Sequence, residues 1–339
     1  MAKPILDVLS GKTPDRVPLW LMRQAGRYLP EYRNLRARAG NFLDLCLTPK
    51  WASEITLQPI KRFDFDAAIL FADILLIPFA LGQKLQFREG EGPVLEKLED
   101  EKSLAKLQFD QKKLQPVFET IEDVKNSLPS ATALIGFCGG LWTVAAYMID
   151  GTSRQNFSQA KLWAAEKPDL LDKLIGILLD ASENYLCRQI EAGAEIIQIF
   201  ESWAGLLTGD KFDRWVIKPT RELVARVKRK YPHIPIIGFP RSAGDHYRSY
   251  AENTGIDAVS IDQQVTLDYA KELQKIKPLQ GNLDPVLLVK GGEDMRQATL
   301  AILDKLGPRH IFNLGHGVVP ETPPDHVADL VKIVRGYKK

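Results

Sequence analysis

Residues 126–149, NSLPSATALIGFCGGLWTVAAYMI, decide the fold prediction because paired glycines join two apolar runs there. The stretch carries no charged side chain and is long enough to span a bilayer. It also contains a proline, several hydroxyl groups and the Gly139 and Gly140 pair, which suit a membrane helix poorly. A buried strand at 133–137, a turn at the glycines and a packed helix explain the pattern better. The stretch therefore predicts one βα unit, and we expect no membrane partner.

The same alternation of a short apolar run and a longer segment with helical spacing recurs along the chain. Eight runs predict strands, at residues 17–21, 67–71, 133–137, 196–200, 235–239, 258–261, 279–282 and 311–314. Successive βα units of this number favour an α/β fold of the closed (βα)8 TIM-barrel type over an open sheet. The 339 residues suit one barrel, so we predict a single domain over residues 1–339.

Composition excludes several classes of protein. The chain is 45% hydrophobic and 26% charged, as globular proteins are, and its net charge of +2 is too small to predict non-specific nucleic-acid binding. Cys46, Cys138 and Cys187 are widely spaced and form no CxxC pair, which argues against a disulfide framework or a zinc knuckle. The opening residues 1–11 are interrupted by Asp7 and lack a signal-peptide core. We expect a cytoplasmic protein.

Common cofactor and metal motifs are missing from the sequence. No GxxxxGK[ST] phosphate loop and no convincing GxGxxG fingerprint occurs. No histidine lies in an HxxxH or HxC spacing that would bind zinc. The five histidines are His233, His246, His310, His316 and His326. We therefore expect that the protein uses neither a metal nor a dinucleotide cofactor.

The segment after the first predicted strand, LMRQAGRYLPEYR at 21–33, concentrates arginines in a chain of balanced charge. Its glycine and proline weaken the case for a regular helix, so we predict a loop on top of the strand. Arg23 and Arg27 would present planar donor groups that suit carboxylates or phosphates. The alternative is a pair of surface arginines held by Glu31 and Asp44.

The residues that follow the other strands point to the same rim, which carries the chemistry in barrels of this type. Asp73 lies between two apolar runs, and an enclosed carboxylate requires either a function or a fixed partner such as an arginine. His316 lies between Gly315 and Gly317, which would let the backbone approach a ligand; a structural histidine is the alternative. Other polar side chains predicted at this rim are Tyr147, Glu201, Ser202 and Trp203.

Two long motifs, MRQAGRYLPEYR at 22–33 and GFCGGLWTVAAYMIDG at 136–151, resemble the signatures of the uroporphyrinogen decarboxylase family. The shorter blocks FADIL, ESWAG, GFPRSAG, QGNLDP and NLGHGVVPETP resemble that family in the same order, so that the resemblance covers residues 13–323. The chain departs from the family where Gly140 and Leu141 replace its usual Ala-Pro, and where Gln263 replaces a common tryptophan. The family assigns chemistry to neither position.

The resemblance implies a distorted (βα)8 barrel, usually a homodimer with clefts that face one another, which works without metal or organic cofactor. The implied partner is uroporphyrinogen III, a polyanionic tetrapyrrole. The resemblance implies that Arg23, Arg27 and Arg36 bind substrate carboxylates and that Asp73 lies at the tetrapyrrole centre. It also implies that Tyr147, Ser202 and His316 contact the substrate side chains.

The implied reaction converts four acetate side chains to methyl groups and gives coproporphyrinogen III. Protonation of a ring carbon turns a pyrrole into a cation that accepts the electrons released with carbon dioxide, which would explain the missing cofactor. Asp73 would stabilise this cation, and Arg23 would lie near the reacting acetate. The proton donor stays open among Tyr147, His316, a substrate carboxyl group and water.

Two other functions are compatible with parts of the sequence. A zinc-dependent corrinoid or methionine-type methyltransferase uses a similar barrel with His and Cys ligands. Gly317 and Val318 follow His316, and no cysteine follows Cys187, so that a thiolate zinc site is hard to assemble. A carrier that binds tetrapyrroles or other polyanions with the same arginines, but without turnover, is the second rival.

Overall fold

The computed structural model of the protein describes residues 3–88, 90–154 and 156–338. The strands assigned within these ranges are β1 (Ala67–Ile69), β2 (Leu85–Arg88), β3 (Gly92–Leu95), β4 (Ala133–Gly139), β5 (Ile196–Glu201), β6 (Ile236–Pro240), β7 (Ala258–Ser260), β8 (Leu279–Leu283) and β9 (His310–Leu314). Seven of them form one parallel sheet in the order β1-β4-β5-β6-β7-β8-β9, and β2 and β3 form an antiparallel hairpin. Seven of the predicted strands are thereby confirmed, with ends that agree within two residues.

Helices cover the outside of the sheet and connect its strands. They are α1 (Pro4–Leu9), α2 (Pro30–Arg38), α3 (Phe42–Cys46), α4 (Pro49–Phe63), α5 (Leu76–Ala80), α6 (Glu101–Leu104), α7 (Gln115–Ser127), α8 (Leu141–Asp150), α9 (Ser158–Glu166), α10 (Pro168–Glu191), α11 (Gly209–Phe212), α12 (Lys218–Lys230), α13 (His246–Asn253), α14 (Leu267–Gln274), α15 (Pro285–Lys290), α16 (Gly292–Leu306) and α17 (Pro324–Gly336). Short 3₁₀ turns lie at Gln111–Leu114 and Ala204–Leu206, and a π-helical turn lies at Asp213–Ile217.

The predicted first strand, residues 17–21, is present as a single bridge rather than a regular strand. Leu19 pairs in parallel with Phe312 of β9, whose N–H donates to the Pro18 carbonyl at 2.8 Å. On its other side, the Leu19 carbonyl accepts from the N–H of Asp66 at 2.9 Å, directly before β1. The segment therefore occupies the eighth position between β9 and β1 and closes the sheet into a distorted (βα)8 barrel.

Local chemistry explains why this strand is so short. Towards the start of the chain, the next donor to β9 would be Pro18, which has no N–H. Towards its end, the N–H groups of Met22 and Leu314 both donate to the side-chain oxygen of Asn313, at 2.9 and 2.8 Å. The ladder is thus interrupted on both sides of the Leu19 bridge.

Asp66 ties the closing segment to the rest of the barrel. Its carboxylate accepts the Leu19 N–H at 2.7 Å and forms ion pairs with Arg16 at 2.6 Å and Arg335 at 2.7 Å. Only 2% of the Asp66 side chain is exposed. Arg335 lies on α17 and also donates to the Asp64 carbonyl at 2.9 Å. One carboxylate therefore joins the closing segment, β1 and the last helix.

Side chains fill the barrel interior, which contains a buried polar network. The Trp20 indole N–H donates to Gln280 at 2.9 Å, and the Gln280 amide donates to Gln198 at 3.2 Å and to the Ser260 hydroxyl at 3.1 Å. All four side chains are fully buried. The network joins the closing segment to β5, β7 and β8 through the middle of the barrel, so that the barrel has a packed core without an open channel.

The βα unit predicted at 126–149 is confirmed as β4 followed by α8. Every residue of β4 is buried, as are all residues of α8 except Tyr147, whose side chain is half-buried. Among the described residues, the structure contains no helix whose length and apolar character would allow it to cross a membrane. Residues 132–149 of the uncharged stretch are part of the protein core, whereas residues 126–131 lie at its surface.

Asp66→Ala is expected to lower the free energy of unfolding by about 3 kcal/mol, because two guanidinium groups and the Leu19 N–H lose their shared acceptor. Asp66→Asn should lose less, since its amide oxygen still accepts from Leu19. Urea unfolding monitored by circular dichroism measures both. Asp268→Ala is the control because its ion pair with Lys305 is exposed. Equal losses for Asp66→Ala and Asp268→Ala would contradict the role assigned to Asp66.

Candidate active site

A cavity of about 500 Å³ opens at the carboxyl ends of the barrel strands. Its volume lies within the range of sites that bind organic molecules. Six of the seven residues predicted for substrate binding line this cavity, namely Arg23, Arg27, Asp73, Tyr147, Ser202 and His316. They come from five different positions of the barrel, so that closure of the sheet is what brings them together.

The seventh predicted residue, Arg36, lies outside the cavity lining. It is half-buried on α2, where its guanidinium donates to the Ala39 carbonyl at 3.1 Å. Its neighbour Arg33 donates to the carbonyls of Arg27 and Tyr28 at 2.9 and 3.0 Å and so braces the preceding loop. The prediction that all of 21–33 is a loop is wrong for its second half, because Pro30 begins α2 at the first helical position, which favours proline.

Arg23 is held by an unusual backbone and by a neighbouring glycine. Its φ angle of 63° lies in the left-handed region, which is costly for a side chain of this kind and typical of functional loops. Its aliphatic stem packs against Gly317, where an added Cβ would lie 2.3 Å from the Arg23 Cδ. Arg23 lines the cavity, and desolvation by the surrounding protein lowers the pKa of its guanidinium.

The glycines on both sides of His316 pack closely against protein atoms, and their approach to a ligand stays a prediction. An added Cβ at Gly315 would lie 2.2 Å from the backbone nitrogen of Gln263, and the one at Gly317 would enter the Arg23 side chain. Both glycines therefore allow close packing between neighbouring loops of the rim. The sequence pattern showed that close approach was needed, but it could not show what approached.

Asp73 is half-buried in the cavity wall, and its Oδ1 accepts the N–H of Leu75 at 2.8 Å. Burial raises the pKa of Asp73 to about 6, although the Leu75 N–H and the positive charge of Arg23 both favour the ionised form. In the described part of the chain, Asp73 has no arginine or lysine at ion-pair distance. The alternative of a direct internal salt bridge is therefore not what the structure contains.

His316 is uncharged in the free site at neutral pH. Burial lowers its pKa to about 3, and the charges of Arg23 and Arg241 act in the same direction. Its Nδ1 is buried and has no hydrogen-bond partner among the described residues. Nε2, which the protein does not bury, is therefore the ring nitrogen open to a ligand in the cavity, as donor or acceptor according to the tautomer.

The site carries positive charge that the protein does not neutralise. Within residues 3–88, 90–154 and 156–338, neither Arg23 nor Arg27 forms an ion pair with a carboxylate. The alternative of surface arginines paired with Glu31 and Asp44 is not observed, since Glu31 pairs with Arg62. Unpaired guanidinium groups around a cavity favour an anionic ligand with several charges.

Glu201 was predicted at the rim, but it turns into the protein and caps α8. Its carboxylate accepts the N–H groups of Trp142 at 3.2 Å and Thr143 at 2.6 Å, and also the Thr143 hydroxyl. Burial raises its pKa to about 7. Gly140 makes this contact possible, because an added Cβ there would lie 2.2 Å from the Glu201 Oε2. The cap fixes the start of the helix that carries Tyr147.

Tyr147 is positioned by aromatic packing. Its ring meets Phe157 edge to face at a centroid distance of 4.9 Å, and Phe157 meets Trp203 in the same manner at 4.9 Å. Trp203 is therefore a support for this wall of the cavity rather than a polar group of the rim. The Trp203 carbonyl also accepts from the Trp142 indole at 3.0 Å, which links the loop after β5 to α8.

Arg241 is a charged residue near the site that the sequence did not single out, and it is not among the residues that line the cavity. It directly follows β6 and lies close enough to Arg23 and His316 for its charge to lower the pKa of both groups. The signal was available, since the motif GFPRSAG places an arginine at the carboxyl end of a predicted strand. In the described portion of the chain, no group of three or more His, Cys, Asp or Glu side chains is placed to hold a metal ion.

Two solved structures with a similar architecture have other activities in their descriptions. A methyltransferase from Methanosarcina mazei has a TM-score of 0.81 and 21% sequence identity, and the match covers 98% of this chain and 97% of that chain. A B12-independent methionine synthase from Shewanella has a TM-score of 0.57 and 12% identity, with 96% and 97% coverage. At these identities the likeness concerns the fold, and it agrees with the distorted barrel.

The amino-acid sequence matches one family over nearly its whole length. A family model described as uroporphyrinogen decarboxylase matches residues 1–337. A uroporphyrinogen decarboxylase from Rhodospirillum rubrum is 50% identical over 337 residues, which are 98% of this chain and 97% of the relative. One from Mesorhizobium japonicum is 50% identical over 334 residues, with 98% and 97% coverage. This chain belongs to the uroporphyrinogen decarboxylase family.

Proposed function

We propose that this protein decarboxylates the four acetate side chains of uroporphyrinogen III and releases coproporphyrinogen III. The observation that carries the proposal is the joint position of Asp73, Arg23 and Arg27 on the wall of one cavity, in a chain whose family match spans residues 1–337. The Methanosarcina mazei methyltransferase shares only the fold at 21% identity, so that no observation favours a methyltransferase reaction.

The unpaired arginines support a substrate of this charge. Uroporphyrinogen III has a carboxylate at the end of each of its eight side chains. Arg23 and Arg27 present planar guanidinium groups to the cavity without a competing carboxylate from the described residues. Such a local concentration of charge attracts a polyanion although the whole chain has a net charge of only +2. Arg36 lies farther out on α2, where we propose that it contacts a peripheral carboxylate.

Asp73 is the proposed partner of the four pyrrole N–H groups. These groups turn inward together in the flexible reduced macrocycle, and an ionised carboxylate accepts several hydrogen bonds at once. With a pKa of about 6, Asp73 is ionised at neutral pH, and substrate N–H donors would lower this pKa further. One carboxylate oxygen of Asp73 accepts a hydrogen bond from the Leu75 N–H, and this bond fixes the orientation of the carboxylate in the cavity wall.

The reaction needs an electron sink at the ring that carries the acetate. A proton added to the ring carbon next to the acetate-bearing position makes that pyrrole cationic. The bond to the carboxylate then breaks, its electron pair neutralises the ring, and carbon dioxide leaves. A second proton on the exposed exocyclic carbon completes the methyl group, and loss of the ring proton restores the pyrrole. Asp73 stabilises the cationic stage through its negative charge.

The candidate proton donors differ in their state in the free site. Tyr147 offers a phenolic hydroxyl, and Arg23 is a weak acid whose pKa is lowered by its surroundings. His316 has a pKa of about 3 and is uncharged at neutral pH. His316 can donate a proton as imidazolium only after the carboxylates of the bound substrate have raised its pKa. In its neutral form, His316 hydrogen-bonds a substrate side chain, as does the Ser202 hydroxyl.

We further propose a cytoplasmic homodimer in which residues 1–339 form one catalytic domain. The family resemblance supports the dimer, and sedimentation velocity at micromolar concentration tests it. Cys46, Cys138 and Cys187 are free and buried, which suits a reducing compartment.

Anaerobic incubation with uroporphyrinogen III is expected to give decarboxylated products in the presence of a metal chelator. Chromatography of the oxidised mixture should show porphyrins with seven, six, five and finally four carboxylates. A sample without protein is the control. Unchanged substrate would overturn the proposed activity, and substrate that co-elutes with the protein without conversion would indicate a carrier.

Asp73→Asn is expected to reduce kcat about 100-fold or more, because a neutral amide does not balance the cationic pyrrole. The fold should persist, since the amide oxygen still accepts from Leu75. Single-turnover rates and thermal unfolding measure the two effects separately. Asp304→Asn is the control, because Asp304 accepts a hydrogen bond from Tyr337 away from the cavity lining. Near wild-type turnover by Asp73→Asn would refute the role of Asp73.

Gly317→Ala is expected to lower kcat/KM about 100-fold, because the added methyl group displaces the Arg23 side chain by about 1 Å or more. Steady-state kinetics with uroporphyrinogen III measures the effect. Gly176→Ala provides a matched control, since an added Cβ at Gly176 in α10 meets no atom within 4 Å. An equal kcat/KM for the two variants would show that the position of Arg23 has no influence on turnover.

A further inference from the structure

Arg241 lies beside a residue of the cavity wall. β5 and β6 pair in parallel, with Glu201 opposite Pro240. The residues that directly follow these two strands are Ser202 and Arg241. The Arg241 N–H donates to the Glu201 carbonyl at 3.1 Å. Because Ser202 lines the cavity, this pairing brings Arg241 to the same rim.

The backbone around Arg241 is held on both sides. The Arg241 carbonyl accepts the N–H of Gly205 at 3.1 Å, and the next residue, Ser242, adopts a left-handed φ of 59°. The Ser242 N–H donates to the buried carboxylate of Asp262 at 2.6 Å. Gly205 lacks a Cβ where one would lie 2.4 Å from the Ser242 carbonyl oxygen. The direction in which the Arg241 side chain leaves the chain is therefore fixed by the fold.

The Arg241 guanidinium has no protein partner in the described part of the chain. It is half-buried, yet it forms no ion pair and no side-chain hydrogen bond with residues 3–88, 90–154 or 156–338. A partly desolvated guanidinium without an acceptor is unfavourable, and nearby positive charge at Arg23 makes it more so. The fold thus holds a cation where its own structure provides no compensation.

Arg241 adds a third guanidinium to the arginines near the site. Its charge is close enough to Arg23 and His316 to lower the pKa of both groups. Arg23 and Arg27 follow the closing segment, whereas Arg241 follows β6, so that the three arginines come from two separate parts of the rim. A macrocycle with carboxylates around its edge would meet cations from both parts.

We infer that Arg241 is a further carboxylate-binding residue, which holds a side chain of the tetrapyrrole from the part of the rim that follows β6. The inference rests on the proposed function, because it takes the substrate to be a polycarboxylate macrocycle. Arg241 binds the substrate through a planar pair of N–H donors. It takes no part in bond breaking.

Arg241→Gln is expected to raise KM for uroporphyrinogen III roughly tenfold, the effect of one lost charge-assisted hydrogen bond, with kcat nearly unchanged. KM should also depend less steeply on salt concentration, because one ionic contact has been removed. Arg241→Lys should restore part of the lost affinity. Arg248→Gln is the matched control, since Arg248 lies on the following helix α13 and pairs with Glu252 at 3.7 Å.

Different experimental outcomes overturn the proposed function and the role of Arg241. Absence of conversion by the wild-type protein overturns the proposed function, whatever Arg241 does. Wild-type conversion with an unchanged KM in Arg241→Gln overturns the inference about Arg241 and leaves the function intact. A lowered melting temperature with a lowered kcat and an unchanged KM also overturns it, because that result indicates a structural role.

Discussion

Closure of the barrel depends on one buried carboxylate. The Asp66 carboxylate accepts a hydrogen bond from the Leu19 N–H and forms ion pairs with two guanidinium groups. The Asp66 backbone N–H donates to the Leu19 carbonyl. Backbone pairing alone is weak at this seam, because Pro18 lacks a donor and Asn313 takes the next two N–H groups. The arginine-bearing loop follows directly after the seam. Its position over the cavity therefore depends on contacts at the opposite end of the barrel.

The site combines groups whose charges the protein leaves uncompensated. Arg23 and Arg241 repel one another, Asp73 has a raised pKa, and His316 is held uncharged. Each condition costs stability in the free protein, and the proposed substrate would relieve it, because it is a polyanion that donates hydrogen bonds from its centre. This explains how a chain with a net charge of +2 presents a strongly cationic cavity, since opposite charges on the remaining surface form their own ion pairs.

Glycines at the rim matter for packing between loops. Gly140 admits the carboxylate of Glu201 to the start of α8, and Gly317 admits the stem of Arg23. In both places two segments far apart in sequence come within a distance that excludes a Cβ. The departure from the family pattern at Gly140 and Leu141 thus falls at a helix cap. Tyr147 depends on that cap because it lies on the same helix, and on Phe157 for the orientation of its ring.

The amino-acid sequence by itself determined the barrel class, seven of its strands and six residues of the cavity lining. Apolar periodicity and the rule that chemistry follows parallel strands are local properties, and they are readable without coordinates. Only the tertiary structure decided that residues 17–21 form a single bridge, that Glu201 caps a helix, and that the Arg241 side chain has no ion-pair or hydrogen-bond partner among the described residues. These outcomes depend on which distant groups meet at a given distance. Spacing along one chain does not contain that information until the barrel has closed.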